Sequence, residues 1–263
     1  MPRFAANLNF LFTELSFLDR FEAAAKAGFK AVESTDLYAA PAAEIAARLK
    51  DNALTLALFN SPTGDASKGE RGLAALPGRE GEFAERFETA LRYADATGGR
   101  RIHVMPGLVH HGARRDVYVA NLKKAAKGAA AAGAEILIEP INRRDIPGFF
   151  LNKTSEARAI IHEVAEPNLG LQFDLYHRQI EEGDVAMAID EFAPLTRHYQ
   201  IASPPDRGEP DAGEMNYRWL LQKIDAGGFA GWIGCEYRPR DGTLPGLKWL
   251  AACGVTLGEQ EGS

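Results

Sequence analysis

Glu135-Ile136-Leu137-Ile138-Glu139-Pro140-Ile141-Asn142 is the stretch that decides how this chain folds. Its apolar, β-branched run reads as a strand, and the proline after the glutamate stops the ladder from continuing. A glutamate is a poor choice for holding a strand end together. Burying its charge without a partner costs several kcal/mol, the usual penalty for an uncompensated ion. In α/β proteins, however, the carboxyl ends of the strands are where ligands bind. Glu139 is therefore the first candidate functional residue.

Outward from it, strand-like and helix-like segments alternate. Toward the N-terminus the pattern predicts a strand over Asn7–Thr13 and a helix over about Phe17–Ala27, stopped by Gly28. A short strand, Lys30–Glu33, again closes on a carboxylate. A helix from Pro41 to about Lys50, a strand Leu54–Phe59 ending at Asn60, a helix Glu82–Thr97 and a strand at Arg101–Gly107 follow. An alanine-rich helix, Val117–Ala132, leads into the Glu139 strand. Beyond it lie a helix near Ser155–Ala165 and a strand Leu169–Phe173 ending at Asp174, then a helix Glu182–Phe192 and a strand Arg197–Ile201. A helix Trp219–Ala226, a strand Gly231–Cys235 ending at Glu236, and a helix near Leu244–Ala252 complete the pattern. Eight such units in 263 residues is the arithmetic of one (β/α)8 barrel, spanning 1–263 with 258–263 as a flexible tail. A doubly wound sheet would normally show a Gly-rich first turn, and Thr13-Glu14-Leu15-Ser16 has none. Between Ser61 and Glu80 the periodicity is lost, which leaves either a lid over a site or a decorated surface loop.

Composition narrows the function. Hydrophobic residues make up 46% of the chain, enough for a full core. The net charge is -6 and the basic residues are scattered, which argues against a nucleic-acid partner, since duplex binding needs clustered Lys and Arg. Cys235 and Cys253 make no disulfide framework and read as two reduced, buried thiols. No signal peptide is expected at Met1-Pro2-Arg3-Phe4, and no apolar run approaches the roughly 20 residues that span a bilayer. The expectation is a cytoplasmic protein without a membrane partner, with homo-oligomer formation left open.

In a barrel, the strand ends deliver Glu139, Asp174, Gln200 and Glu236 to one rim, each about one strand–helix unit from the next. Three carboxylates converging there repel one another unless a cation sits among them. Oxygen ligands favour a hard divalent ion, Mg²⁺ or Mn²⁺, and zinc would more often recruit His or Cys. Taken singly, Glu139 or Glu236 could be a salt-bridged strand end, Asp174 a helix cap and Gln200 hydrogen-bonded core; together they read as a site. His177, three residues past Asp174, could polarise a substrate oxygen or pair with a loop. His103 is either a rim residue facing the substrate or a satisfied core histidine. His110 and His111 are adjacent, so their rings diverge and they read as loop residues. Arg207 suits anchoring an anionic substrate, and Glu209 suits fixing the loop that carries it.

These residues sit in familiar company. Ile138-Glu139-Pro140-Ile141-Asn142, Phe173-Asp174-Leu175-Tyr176-His177, Gln200-Ile201-Ala202 and Cys235-Glu236-Tyr237-Arg238-Pro239 resemble the hydroxypyruvate isomerase family. So do Gly213-Glu214-Met215-Asn216-Tyr217, Phe4-Ala5-Ala6-Asn7-Leu8 and Gly69-Glu70-Arg71-Gly72-Leu73. That family includes the 2-oxo-tetronate isomerases and belongs to the xylose-isomerase-like TIM barrels. The resemblance implies that Glu139 and Glu236 act as proton donor and acceptor. It also implies a divalent metal held by Glu139, Asp174, Gln200 and Glu236. The chain departs from the family pattern at Ser34-Thr35-Asp36-Leu37-Tyr38, at Gly208 where a histidine often stands, and at Ser61–Ala66, which lacks an expected tryptophan.

The expected chemistry is isomerisation of a small hydroxy/oxo acid, with hydroxypyruvate and tartronate semialdehyde as the pair. A glutamate takes a proton from carbon next to a carbonyl, and the enediolate is reprotonated at the neighbouring carbon. The metal is expected to hold the carbonyl and hydroxyl oxygens together. Three other functions compete with this one. A ketose 3-epimerase would usually carry histidine where Gln200 stands. An abasic-site endonuclease would need a zinc cluster richer in histidine. A non-catalytic small-molecule-binding barrel would have no need of two unneutralised acids.

Overall fold

The strands are short because a barrel strand is buried on both faces and need only cross one layer. In the computed structural model, which describes residues 2–257, they are β1 Arg3–Asn7, β2 Ala31–Ser34, β3 Thr55–Asn60, β4 Arg101–His103, β5 Glu135–Ile138, β6 Leu169–Asp174, β7 Thr196–Ile201 and β8 Trp232–Cys235. They pair in chain order, all parallel, and β8 returns to β1 from Arg3↔Trp232 to Ala6↔Cys235. The expected (β/α)8 barrel is the fold. The expected tail at 258–263 lies outside the described residues.

Helices wrap the outside: α1 Asp19–Lys26, α2 Ala42–Asp51, α3 Glu80–Thr97, α4 Arg115–Ala131, α5 Thr154–Val164, α6 Leu175–Glu181, α7 Val185–Phe192, α8 Tyr217–Ala226, α9 Thr243–Gly246 and α10 Trp249–Cys253. The longer ones turn one apolar stripe inward. On α3 this stripe is Phe83, Phe87, Ala90 and Ala94, at the three- and four-residue spacing of a helix face. Each buried phenylalanine there contributes about 2 kcal/mol.

Three segments differ from the sequence expectation. The first strand is Arg3–Asn7, not Asn7–Thr13, because the register with β2 and β8 runs over residues 3 to 7 and closes with the Leu8 N–H on the Glu33 carbonyl. Leu8, Leu11 and Phe12 are apolar because they pack in the loop beyond the strand, where all three are buried. The helix expected at Glu182–Phe192 is α7, which begins only at Val185, and an unexpected helix, α6, precedes it; the two are separated where Gly183 and Asp184 take left-handed backbone (φ 66° and 49°). The last expected helix is likewise divided into α9 and α10. The Ser61–Glu80 segment is stitched to the barrel through a bridge between Gly72 and Pro106, and Leu73 to Leu76 are buried.

The barrel interior is apolar at one end and polar at the other. Ala5, Ala31 and Ala57 form a small cluster of their own. Two residues further along, on the same face, stand Asn7 and Glu33. Glu33 Oε2 lies 2.6 Å from His198 Nε2, and Gln200 Nε2 donates to Glu33 Oε1 at 2.8 Å. Since β2 and β7 are not neighbours, these contacts cross the interior. Gly234 on β8 makes room for them, because a Cβ there would fall on the Glu33 carboxylate.

Candidate active site

Glu139 and Glu236 are the residues immediately after β5 and β8, and Asp174 is the last residue of β6. All three are buried, as are His103, His177 and Gln200. One ligand atom from each of Glu139, Asp174, His177 and Glu236 lies within 4.8 Å of the others. Asp174 divides its labour. Its Oδ1 accepts the Tyr176 backbone N–H at 2.7 Å and caps α6, while Oδ2 is buried without a hydrogen-bond partner. Glu139 Oε1 is orphaned in the same way.

Asn7 Nδ2 donates to both Glu33 Oε1 (2.9 Å) and Glu236 Oε1 (3.0 Å), and so ties Glu236 to the barrel interior. Gln200 pairs with Asp174 in the β6–β7 register. Its Oε1 accepts from Gln172 Nε2 at 2.6 Å, and its Nε2 is held by Glu33. His103 Nδ1 lies 3.2 Å from Asn60 Oδ1 and 3.6 Å from Glu139 Oε2.

Arg207 is the cation of the site. Its Nη2 donates to Glu236 Oε2 at 2.6 Å, its Nη1 to Asp145 Oδ2 at 2.8 Å and its Nε to the Glu236 carbonyl at 3.3 Å. The guanidinium lies between the rings of Phe10 (4.8 Å) and Tyr176 (5.0 Å), which fixes its plane. Glu209 does not touch this group. It holds the backbone N–H and Nε of Arg240 at 2.9 and 2.7 Å, and Arg238 N in turn donates to the Arg207 carbonyl at 2.7 Å.

Burial dominates the electrostatics. It raises the Glu139 carboxyl well above its usual range, and the charges of Glu236 and Asp174 push the same way. It raises Asp174 to about 6 even though Arg207 and the α6 cap pull it down. It raises Glu236 to about 8 against the pull of Arg207, with Asp174 and Glu33 adding to the rise. Burial takes His103 down to about 3, and burial with Arg207 and His103 holds His177 well below its ordinary value. Burial also works against the Arg207 charge, but Glu236, Asp174, Asp145 and Glu139 more than reverse it. Three buried carboxylates thus share one arginine, which makes a close ion pair with only one of them. The two orphaned oxygens and the all-carboxylate core of the cluster fit a hard divalent cation.

Of the residues expected at the site, Glu139, Asp174, His177, Arg207 and Glu236 come together and His103 stands beside Glu139, whereas Gln200 turns its amide to Gln172 and Glu33, and Glu209 holds Arg240. Sequence reading does not single out Asn7, Phe10, Asn142, Asp145, Gln172, Tyr176 or His198 as site residues. Glu33 gave a signal, as a second strand closing on a carboxylate, and Asn7, Asn142 and Tyr176 lie within the family-like motifs without a role being read for them.

A closed parallel barrel with an acidic, buried cluster at its carboxyl rim defines an α/β-barrel enzyme frame. A family model described as a xylose isomerase-like TIM barrel matches residues 21–253. A 2-oxo-tetronate isomerase from Cupriavidus necator is 54% identical over 95% of this chain and 98% of its own. A hydroxypyruvate isomerase from Escherichia coli is 42% identical over 95% of this chain and 98% of its own. A crystal structure from Brucella melitensis, described as AP endonuclease, family 2, superposes with a TM-score of 0.93 at 45% identity, covering 95% of this chain and 98% of that one. The chain belongs to the xylose isomerase-like TIM barrels and, within them, to the hydroxypyruvate isomerase family. It is an enzyme of that family. No helix among the described residues is long and apolar enough to cross a membrane.

Proposed function

We propose that this protein interconverts hydroxypyruvate and tartronate semialdehyde, or a closely related small hydroxy/oxo acid, by proton transfer between two glutamates. The observation that carries this reading is the Glu139–Glu236 pair. Both carboxylates are buried, both are pushed up by that burial, and they reach one spot from β5 and β8. Such carboxyls are suited to exchange protons near neutral pH. One takes the proton from the carbon beside the carbonyl, and it or its partner returns a proton to the neighbouring carbon. Glu139, Asp174 and Glu236, with Gln200 beside Asp174 as a neutral donor, would hold Mg²⁺ or Mn²⁺. Bound there, the ion supplies Lewis-acid stabilisation of negative charge on the substrate oxygens. Arg207, locked between Phe10 and Tyr176, presents a guanidinium to the substrate carboxylate. His177 and His103, both neutral, offer ring nitrogens to substrate oxygens, and Glu209 secures the loop that carries Arg207. The names of the two isomerase relatives support the same substrate class.

The test is turnover of hydroxypyruvate, 2-oxo-tetronate and a free ketose side by side, with Mg²⁺ or Mn²⁺ and after chelation, together with nicking of abasic-site DNA. Metal-dependent conversion of an oxo acid in preference to the ketose is the expected result. Preference for the ketose would replace this reading with an epimerase, and nicking of the DNA would replace it with an endonuclease.

A further inference from the structure

His177 is the member of the cluster whose protonation pattern is fixed from outside it. The ring sits in the first turn of α6 and is buried. Its Nδ1 faces Asn142, with the side-chain Nδ2 at 2.6 Å and the backbone nitrogen at 3.5 Å. The backbone group is a donor by constitution. The amide is turned the same way because its other end, Oδ1, accepts the Asp145 backbone N–H at 2.8 Å. Two donors converge on Nδ1, so Nδ1 carries the lone pair. An Nδ1–H tautomer, or an imidazolium, would set N–H against N–H at the closest contact of the ring. The ring proton therefore sits on Nε2, where the nearest oxygens are acceptors: Asp174 Oδ2 at 3.5 Å and Glu139 Oε1 at 3.8 Å. Arg207 Nη2 also lies 3.5 Å from Nε2; one of its two hydrogens goes to Glu236 Oε2 at 2.6 Å, and its contact with Nε2 is far longer than the 2.6 Å contact between Asn142 Nδ2 and Nδ1, which decides the tautomer.

We infer that Asn142 is a positioning residue that holds His177 as the Nε2–H tautomer, making the ring a hydrogen-bond donor to a substrate oxygen and not a ligand to the cation. A metal-binding imidazole needs a bare nitrogen facing the ion, and the hydrogen bond at the other nitrogen decides which one is bare. Nearness to the carboxylates thus makes His177 look like a fourth ligand, whereas Asn142 assigns it a different role. Its contact with substrate rests on the isomerase reading; the tautomer does not.

The test is a long-range proton–nitrogen NMR spectrum of the full chain labelled with ¹⁵N-histidine, with the His177 signals identified by their loss in His177→Gln. The expected spectrum shows a protonated Nε2 and a bare Nδ1, unchanged when Mg²⁺ saturates the protein. Asn142→Asp keeps an acceptor for the Asp145 N–H but presents a carboxylate oxygen to Nδ1, so the ring proton should move to Nδ1. With it, kcat should fall about 10²- to 10⁴-fold, the range for a misdirected general acid or base. A protonated Nδ1 in the native chain, loss of the Nε2 proton on Mg²⁺ addition, or an unmoved tautomer in Asn142→Asp would overturn the assignment. A protein that shows the expected tautomer yet converts no oxo acid would support the Asn142 assignment while removing the isomerase reading.

Discussion

Glu236 meets three demands at once: it accepts from Asn7 on one oxygen and from Arg207 on the other, and it must still exchange a proton. Glu236→Gln keeps the shape and one of the two acceptor oxygens but cannot carry the proton. Turnover should fall at least about 10³-fold while the native fold is retained and melts in a single cooperative transition. Steady-state kinetics and a thermal melt on the same preparation check both halves, and near-native kcat would remove Glu236 from the chemistry. Arg207→Lys loses the planar fork and the stacking between Phe10 and Tyr176. Its KM for the oxo acid should rise about 10- to 100-fold, more than its kcat falls, as expected when a charge-assisted contact to substrate is weakened. At this scale the sequence revealed the carboxylates because each ends a strand, a position that needs only local pattern to recognise. Phe10 and Gln172 were invisible, and Asn142 was visible only as part of a motif, because their roles exist only across closed contacts: Phe10 reaches Arg207 from the first loop, Asn142 meets His177, and Gln172 meets Gln200 from the next strand.

Among the elements, β8 shows how closely backbone and site are coupled. Gly234 lies opposite Ala5 and Gln200 in the sheet register, and the Glu33 carboxylate fills the space a side chain would take. Gly234→Ala should therefore displace Glu33 from His198 and Gln200 and cost about 1–3 kcal/mol. Urea unfolding measures this directly; an unchanged midpoint would mean that the interior network yields without cost. Alternation of strands and helices was legible because each unit is periodic over its own length. The first strand was misplaced since Leu8, Leu11 and Phe12 are apolar for packing, and apolar spacing alone does not say whether a residue pairs or packs. Helix α6 was missed because its seven residues follow β6 directly, too short a stretch to show a helical period of their own; it ends before the left-handed residues Gly183 and Asp184.

For the molecule as a whole, the buried acids set how stability responds to pH. A carboxyl whose pKa rises on folding binds its proton more tightly in the native chain, so its stabilisation is complete below the unfolded value near about 4. That stabilisation is lost as pH climbs through the folded value. Asp174 gives up its share by about pH 6 and Glu236 by about pH 8, with Glu139 acting in the same direction. After chelation, the thermal midpoint should fall as pH is raised from 5 to 8. Saturating Mn²⁺ should raise it most at pH 8, where the carboxylates are free of protons. A midpoint that climbs over this range after chelation would contradict the placement of these acids.

Transfer of one proton between adjacent carbons of a small oxo acid by two glutamates is followed by proton NMR of hydroxypyruvate in D₂O with the Mg²⁺-loaded protein. Tartronate semialdehyde should form with solvent deuterium at the reacting carbon, and neither product nor deuterium uptake should appear with Glu139→Gln or Glu236→Gln. Conversion that proceeds unimpaired in both variants would contradict this transfer, as would a native protein that neither exchanges nor converts any hydroxy/oxo acid.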